Sequence, residues 1–411
     1  MQNKVYIVAK GRSAISNFGQ TLAVQSITKI SAQVLSGLLE KYKINKAEIQ
    51  KLVFGQVMQS ACGQNTARQI ALESGLSPKT TAFTVNMVCG SGMQAIVSAY
   101  LDILAGKTDL VVAGGGEFMS NVPHAILNSR TGTKYGSLKT LDLIESDGLT
   151  DSFLKEPMGL LMDKVAVNLK ITKEEAAAYS VSSHKKAFQA QNNVFKSEII
   201  PVTIQSKKAE ITFLKDEHIR PETTAEAIFK LPSIFSKDGI TNAGNASGIN
   251  DGVAFVCLAS KTYLDKHPEI EPLAEIVDFA EVGVEPENFP IAPFFAIKKL
   301  IDTNKLSVKS IDLFEINEAF AHTVIANLKL LSEEYKLPYD TLSEKTNVCG
   351  GAVALGHPLG MSGARVVVSL LTQFEHFNLN TGIASLCIGG GQGIALYLRK
   401  GTKKWLNLKT N

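Results

Sequence analysis

The sequence predicts a layered α/β protein assembled from two related halves, and three observations carry that expectation. Short apolar runs bounded by glycine alternate with stretches of helical periodicity. A pattern of cysteine, Ser-Gly, helix, strand and triple glycine occurs twice. The chain, at 411 residues, exceeds the size at which a single core stops growing.

Taken in chain order, Met1-Gln2-Asn3-Lys4-Val5-Tyr6-Ile7-Val8 runs straight into a strand-like segment, with no long apolar stretch to serve as a signal or a span. Residues 94–104 carry apolar side chains at three- and four-residue intervals and predict a helix. Leu110-Val111-Val112-Ala113 is short, continuous and followed by Gly114-Gly115-Gly116, as a buried strand ending in a glycine turn would be. Across roughly 121–251 the chain turns more polar, with turn-rich stretches such as Asn128-Ser129-Arg130-Thr131-Gly132 and Lys237-Asp238-Gly239. This reads as a long insertion on one face of the core, a candidate ligand cover. It contains one helical stretch, 174–191. A further helix is predicted at 365–374, then strands at Gly382-Ile383-Ala384-Ser385-Leu386-Cys387 and Gly393-Ile394-Ala395-Leu396-Tyr397-Leu398. The repeat aligns Cys89, Ser91-Gly92 and Gly114-Gly115-Gly116 with Cys349, Ser362-Gly363 and Gly389-Gly390-Gly391. Ser91 to Gly114 spans 23 positions and Ser362 to Gly389 spans 27. The extra residues of the second copy carry Gly356-His357-Pro358.

Composition narrows the function classes. With 45% hydrophobic and 20% charged residues the chain is globular, and 42 basic against 39 acidic side chains leave a net charge of +3. Bulk charge gives no reason to expect nucleic acid or membrane as a partner. Five cysteines, at 62, 89, 257, 349 and 387, are odd in number and form no Cys-x-x-Cys pair, which argues against a disulfide framework and against a zinc site. The terminal Lys409-Thr410-Asn411 is not a peroxisomal address. A cytoplasmic location is expected.

Three groups capable of acyl and proton chemistry sit in glycine-rich turns. Cys89, in Val88-Cys89-Gly90-Ser91-Gly92, is placed at a strand-to-helix turn where the helix N-terminus is expected to lower the thiol pKa, which makes it a nucleophile candidate. His357, between Gly356 and Pro358, lies in a turn and can act as a base toward a thiol. Cys387 ends an apolar strand before three glycines whose amides can form an oxyanion pocket, and a second thiol there suggests proton transfer. In Asp312-Leu313-Phe314-Glu315-Ile316-Asn317-Glu318-Ala319-Phe320-Ala321, Asn317 could hold a water or carbonyl, while Glu318 has either a functional role or one in stabilising a helix N-terminus. His124, His184, His218, His267, His322 and His376 show no paired ligand spacing and are read as ordinary.

Five segments together resemble the thiolase family, acetyl-CoA acetyltransferases and 3-ketoacyl-CoA thiolases, along nearly the whole chain. They are Asn86-Met87-Val88-Cys89-Gly90-Ser91-Gly92-Met93, Asn242-Ala243-Gly244-Asn245-Ala246-Ser247-Gly248-Ile249-Asn250-Asp251-Gly252, Asn317-Glu318-Ala319-Phe320, Gly356-His357-Pro358-Leu359-Gly360 and Cys387-Ile388-Gly389-Gly390-Gly391. The resemblance implies a thiolase fold: two similar five-layered α-β-α-β-α halves, 1–120 with 252–272 and 273–411, and a protruding coenzyme A-binding loop domain, 121–251. It implies acylation of Cys89, activation by His357, proton shuttling by Cys387, and an enolate oxygen held by His357 and a water on Asn317. It further implies that the amides of Cys89 and Gly389 hold the other oxyanion, that Ser247, Arg220 and Leu149 contact coenzyme A, and that Met158 walls the acyl pocket. Coenzyme A thioesters are substrates in this picture, no cofactor or metal is permanently bound, and a homodimer or homotetramer is expected.

Four departures from the family pattern accompany the match. Pro157-Met158-Gly159 followed by Leu160-Leu161-Met162-Asp163-Lys164 stands where many short-chain members have His-Met-Gly before Thr-Ala-Glu-Asn. Cys349 replaces an asparagine, Gly116 a methionine, and Gly11-Arg12-Ser13-Ala14 an Arg-Thr-Pro segment. The loop 129–151, with Tyr135-Gly136 and Asp147-Gly148-Leu149-Thr150-Asp151, resembles short-chain tetrameric members, so the expected activity is reversible condensation of two acetyl-CoA to acetoacetyl-CoA. The alternative is a degradative thiolase for longer chains, in which Leu160, Leu161 and Met162 make room for an acyl tail. A decarboxylating ketoacyl synthase shares the cysteine but uses two histidines, where this chain has Cys387. A non-catalytic acyl-CoA-binding subunit is the reading from another class.

Overall fold

The glycine-bounded apolar runs become strands of one large sheet. The computed structural model describes residues 4–205 and 210–401. Met1 to Asn3 of the opening run, and the Lys409-Thr410-Asn411 terminus, lie outside them.

Nine principal strands are β1 (Val5–Arg12), β2 (Lys51–Gly55), β3 (Thr81–Val85), β4 (Leu110–Phe118), β5 (Asn250–Ser260), β6 (Ala274–Gly283), β7 (Leu313–Ile316), β8 (Thr381–Ile388) and β9 (Gln392–Lys400). Their order is β7-β8-β9-β6-β1-β5-β4-β2-β3, with Ser16–Asn17 adding a short pairing to β5. Reading outward from the β1/β6 seam, the two sides match. β1 is antiparallel to β5, β5 antiparallel to β4, and β4 and β3 both parallel to β2. On the other side β6 is antiparallel to β9, β9 antiparallel to β8, and β8 parallel to β7, with a parallel bridge from Phe314 to Thr346 in the place of β3. The repeat read from the sequence is therefore a repeat of topology. Among the described residues, the strand register across the seam is Val5↔Ile276, Tyr6↔Glu275 and Ile7↔Ala274.

Among the helices are α1 (Ile27–Lys41), α2 (Ser91–Leu104), α3 (Met158–Asn168), α4 (Lys173–Gln191), α5 (Ala292–Thr303), α6 (Ala321–Tyr335) and α7 (Leu359–Phe377). The helix expected at 365–374 thus starts six residues earlier. α2 and α7 occupy equivalent places in the two halves and pack on each other. Ser91-Gly92 and Ser362-Gly363 recur in the sequence because the two helices touch there. A Cβ at Gly92 would lie 2.7 Å from the backbone N of Ala364, and one at Gly363 would lie 2.3 Å from the backbone N of Met93. Every residue of α7 from Leu359 to Phe374 is buried, including Arg365 and Gln373.

The two triple glycines do different things. Gly389-Gly390-Gly391 is a turn, with Gly390 and Gly391 both at φ 83°. Gly114-Gly115-Gly116, expected as a turn, instead lies inside β4. A Cβ at Gly115 would lie 2.1 Å from the carbonyl oxygen of Gly360, so these residues are small to let the start of α7 approach the sheet. At Gly116, where a methionine is common in the family, Val253 and Phe54 fill the space.

The polar stretch between the halves is less of a surface excursion than its composition suggests. α4 buries Ala176, Ala177, Ser180, Ser183, His184, Ala187 and Ala190, a face of small side chains that permits close packing. Arg12 of β1, in one of the departures from the family pattern, is fully buried and ties this region to the sheet through Glu198 at 2.6 Å and Asp216 at 2.7 and 2.9 Å. No helix among the described residues is long and apolar enough to cross a membrane.

Candidate active site

The chain leaves β3 and reaches α2 through a turn in which Val88 has φ 46°, a left-handed conformation that a β-branched residue adopts only at a cost of about 1–3 kcal/mol. Ser91 holds that turn, its Oγ accepting from the Met87 amide at 2.8 Å and donating to the Val88 carbonyl at 2.7 Å. Gly90 caps α2, and a Cβ there would lie 2.5 Å from Cδ1 of Ile388. Cys89 is thus presented between α2 and the end of β8.

Its sulfur meets the amide of Gly389 and its own amide. The helix N-terminus is expected to lower the thiol pKa, and the Gly389 and Cys89 amides act in the same direction, but burial is the larger influence and holds it up at about 11. Cys89 keeps part of its surface open, yet what it opens onto is an apolar cavity rather than bulk water. Cys387, in β8, is fully buried, and burial followed by the neighbouring Cys89 pushes its thiol far up.

His357 leads into α7 after the short helix Ala352–Leu355, with Gly356 at φ 100° between them. Its Nδ1 lies 2.5 Å from Ser362 Oγ, and that hydroxyl donates to the Pro358 carbonyl at 2.9 Å. Since the hydroxyl proton is used on Pro358, Oγ accepts from Nδ1–H, which leaves the Nε2 lone pair facing the site. Burial, with Arg365 as the second cause, lowers the imidazole pKa to about 3, so His357 is neutral and able to accept a proton. Asn317, at the end of β7, is fully buried with Nδ2 at 3.5 Å from that Nε2.

Hydrogen bonds stitch the motifs together. Ser247 donates from both its amide, at 3.0 Å, and its hydroxyl, at 2.8 Å, to the Ala319 carbonyl. The His357 amide donates to the Gly248 carbonyl at 3.2 Å and to Asn250 Oδ1 at 3.3 Å. Glu318, expected to have either a functional role or one at a helix N-terminus, stabilises the start of the short helix Ala352–Leu355 rather than α6. Its carboxylate accepts from Tyr179, Ser183, Asn347 and the Val353 amide, at 2.7 to 3.0 Å, and so braces α4 against the segment that carries His357. Glu117 accepts from the amides of Val57, Met58 and Gly360, at 2.9 to 3.1 Å, and burial raises its pKa to about 7.

Cys89 and His357 open into a cavity of about 480 Å³, walled by Met119, Leu149, Met158, Phe235, Ile249, Phe289, Phe320 and Leu359, with Ser247 and His218 at its polar points. Leu149, Met158 and Ser247 are therefore all at this cavity, and Gly389 adjoins Met158 and Val88. Arg220 lies apart from the reacting groups, in an outer hollow with Asn17, Phe18, Gln20 and Glu217 that shares His218, Gly248 and Ile249 with the cavity. Of the three residues offered for an acyl tail, Leu160 is half-buried, and Leu161 and Met162 are fully buried in a core cluster with Val165, Phe289 and Cys387; none of them lines the cavity. Periodicity places Leu161 and Met162 on the inner face of α3, whereas Met158 and Gly159 at its start face the cavity.

Sequence reasoning passed over several residues here. His218 was read as ordinary, yet it lines the cavity, with Nδ1 2.7 Å from Asn17 Oδ1. Arg365 donates to Glu315 at 2.8 Å and to Asn317 Oδ1 at 2.9 Å. A cation in the middle of an otherwise apolar helix was the available signal. All five cysteines are free, and no group of three or more His, Cys, Asp or Glu is arranged to hold a metal ion among the described residues.

Models of the thiolase N-terminal and C-terminal domains match residues 5–262 and 270–400. The chain belongs to the thiolase family. Thiolases are acyltransferases whose substrates are coenzyme A thioesters. A probable acetyl-CoA acyltransferase of Staphylococcus aureus strain COL is 42% identical over 401 residues, 97% of this chain and 99% of that protein. The crystal structure of the Bacillus anthracis acetyl-CoA acetyltransferase superposes with a TM-score of 0.91 at 37% identity, covering 97% of this thiolase and 99% of that chain. Human mitochondrial 3-ketoacyl-CoA thiolase gives 0.91 at 36% identity over the same shares.

Proposed function

We propose that this thiolase catalyses the reversible Claisen condensation of two acetyl-CoA to acetoacetyl-CoA and coenzyme A through an acetyl-Cys89 intermediate. The observation that carries the proposal is the joint placement of Cys89 and the His357 lone pair at one apolar cavity, with Cys387 and Asn317 buried behind them. In the first half-reaction His357 Nε2 takes the Cys89 proton, the thiolate adds to the thioester carbonyl, and the departing coenzyme A thiolate takes its proton from Cys387. Cys387, now a thiolate, removes an α-proton from the second acetyl-CoA. The enolate oxygen is held by imidazolium and by Asn317, directly or through a water, and the carbanion attacks acetyl-Cys89. The amides of Cys89 and Gly389 hold the resulting oxyanion. Collapse frees the Cys89 thiolate, which takes back the proton from His357, and every proton is accounted for.

The short-chain reading is supported by Met158 standing beside Gly389 and by Leu161 and Met162 being committed to the core. Ser247, Leu149 and the outer hollow with Arg220 would receive the pantetheine and nucleotide of coenzyme A. We further assign 121–251 as the coenzyme A-binding loop domain between halves 1–120 with 252–272 and 273–411, acting in the cytoplasm as a homodimer or homotetramer. A second reading, cleavage of longer 3-ketoacyl chains, is favoured by the apolar Ile234, Phe235 and Ile249 at the cavity, Ile234 being 54% exposed. The deciding assay follows loss of the 3-ketoacyl thioester with coenzyme A and either acetoacetyl-CoA or 3-ketohexadecanoyl-CoA. Faster turnover of the first supports condensation and cleavage at the two-carbon level. Faster turnover of the second overturns it in favour of the degradative reading, and inactivity with both favours a binding subunit.

A further inference from the structure

We propose that Arg365 is a positioning residue that fixes which end of the Asn317 amide faces the reacting groups. The proposal rests on the enolate-binding role given to Asn317 above and extends it to a residue that touches no substrate. An asparagine side chain offers a carbonyl oxygen at one end and an NH2 group at the other, and the two ends are close in size. A guanidinium has donors only. With Arg365 Nη2 at 2.9 Å, the neighbouring Asn317 atom has to be Oδ1, which turns Nδ2 toward His357 Nε2 at 3.5 Å. That end meets a lone pair, because Ser362 holds the His357 proton on the opposite nitrogen. The reverse orientation would set a carbonyl oxygen against the unprotonated nitrogen of the resting site and, later in the cycle, against the developing enolate oxygen.

Arg365 cannot easily turn away. Its Nη1 donates to Glu315 Oε1 at 2.8 Å, and the other carboxylate oxygen of Glu315 accepts from Gln373 at 3.0 Å. Arg365 is 1% exposed, and Glu315 and Asn317 are fully buried. A buried ion pair of this kind adds little stability over an apolar pair of the same volume, so its presence is better explained by the donor it aims than by the fold. Ser362 and Arg365 are three residues apart on α7 and share a face, so a single helix sets the tautomer of His357 and the orientation of Asn317. Lysine carries one point charge in place of the planar fork and could not serve Glu315 and Asn317 together in this geometry.

The test separates the half-reactions in the full-length protein. Acetylation of Cys89 by acetyl-CoA is followed by mass spectrometry in a single turnover, and exchange of acetyl-CoA α-hydrogens into deuterated water reports the enolate step. The E315Q/R365M variant removes both charges, so neither is left buried alone. Acetylation is expected to stay within about threefold of the parent while exchange and condensation fall roughly 10- to 100-fold. Adding Asn317→Ala to that variant is expected to cost little more than Asn317→Ala alone, since the two changes remove the same donor. If E315Q/R365M does not fold, Arg365→Lys, which keeps the charge opposite Glu315, is expected to show the same split. An equal fall in both half-reactions, or a full additive loss with Asn317→Ala, overturns the positioning role and leaves the reaction assignment intact. Unchanged exchange in Asn317→Ala alone overturns this proposal together with the enolate-binding role.

Discussion

The two halves of this thiolase deliver their reactive groups by opposite means. In the N-terminal half the turn between β3 and α2 is short, and Cys89 is held in place by Val88 in a left-handed conformation that costs its backbone energy. In the C-terminal half the equivalent connection between Thr346 and α7 is longer, and its left-handed conformations fall on Asn347 at φ 47°, Gly350 at φ 75° and Gly356 at φ 100°, residue types that adopt them at less cost than a β-branched one. The same topology therefore carries the proposed nucleophile on a more strained, fixed turn and the proposed base on a less strained, hydrogen-bonded one. Burial then sends their acidities apart, the thiol up to about 11 and the imidazole down to about 3, so both are neutral before substrate arrives.

Removing the proposed nucleophile should have the largest effect. Cys89→Ala is expected to abolish acetyl transfer to protein and to lower turnover on the order of 10⁴-fold or more, measured by intact mass and by acetoacetyl-CoA cleavage. Label that persists would mean another residue is acylated. The asymmetry of the turns can be broken with paired alanines. At Gly356 a Cβ would stand 2.2 Å from Asn250 Cγ at positive φ, and Gly356→Ala is expected to cost about 3 kcal/mol in urea unfolding. Gly90→Ala, at negative φ, meets the flexible end of Ile388 at 2.5 Å and the Met87 carbonyl oxygen at 3.3 Å, and should cost roughly half of that or less. Equal losses would remove the distinction drawn between the two halves.

The opposed acidities make two smaller predictions. A thiol held near 11 should be alkylated by iodoacetamide at a rate that climbs about tenfold per pH unit from pH 7 to 9, when Cys89 is followed by peptide mass mapping. A plateau below pH 8 would restore the sequence-based expectation of a lowered thiol pKa. For His357 the folded state stays neutral while the unfolded chain takes up a proton below about 6.5, so its contribution to stability is complete above that pH and is lost as pH falls. Between pH 7 and 5 the stability of the parent should therefore drop by about 2 kcal/mol relative to His357→Asn. No change in that difference would show that His357 is protonated when folded.

Much of this was legible in the chain, and the exceptions have physical causes. The repeat could be read because Ser91-Gly92 and Ser362-Gly363 are fixed by backbone contact between two helices, which tolerates nothing larger. That Cys89 and His357 meet at one cavity, with Cys387 buried close by, could be anticipated because each lies in a local glycine context. The glycines of β4 were misread as a turn because a glycine needed for a distant helix looks locally like one needed for a bend. The lowered thiol pKa was misread because a helix terminus is local while the enclosing cavity is assembled from distant segments. Glu318 and Arg365 escaped for the same reason, since their partners lie 29 to 139 residues away.

The pairing of β1 with β5 has a consequence for synthesis. Val5 registers with Ser260 and Arg12 with Ala254, so β1 has neither of its long strand partners until some 250 further residues have been made. At ribosomal rates that is a wait of about 10 to 50 s. Throughout it the apolar segment Val5–Ala9, buried in the finished protein, can be covered by α1, which packs on β1, but not by its sheet neighbours, so its backbone edges stay unpaired and open to chaperone capture.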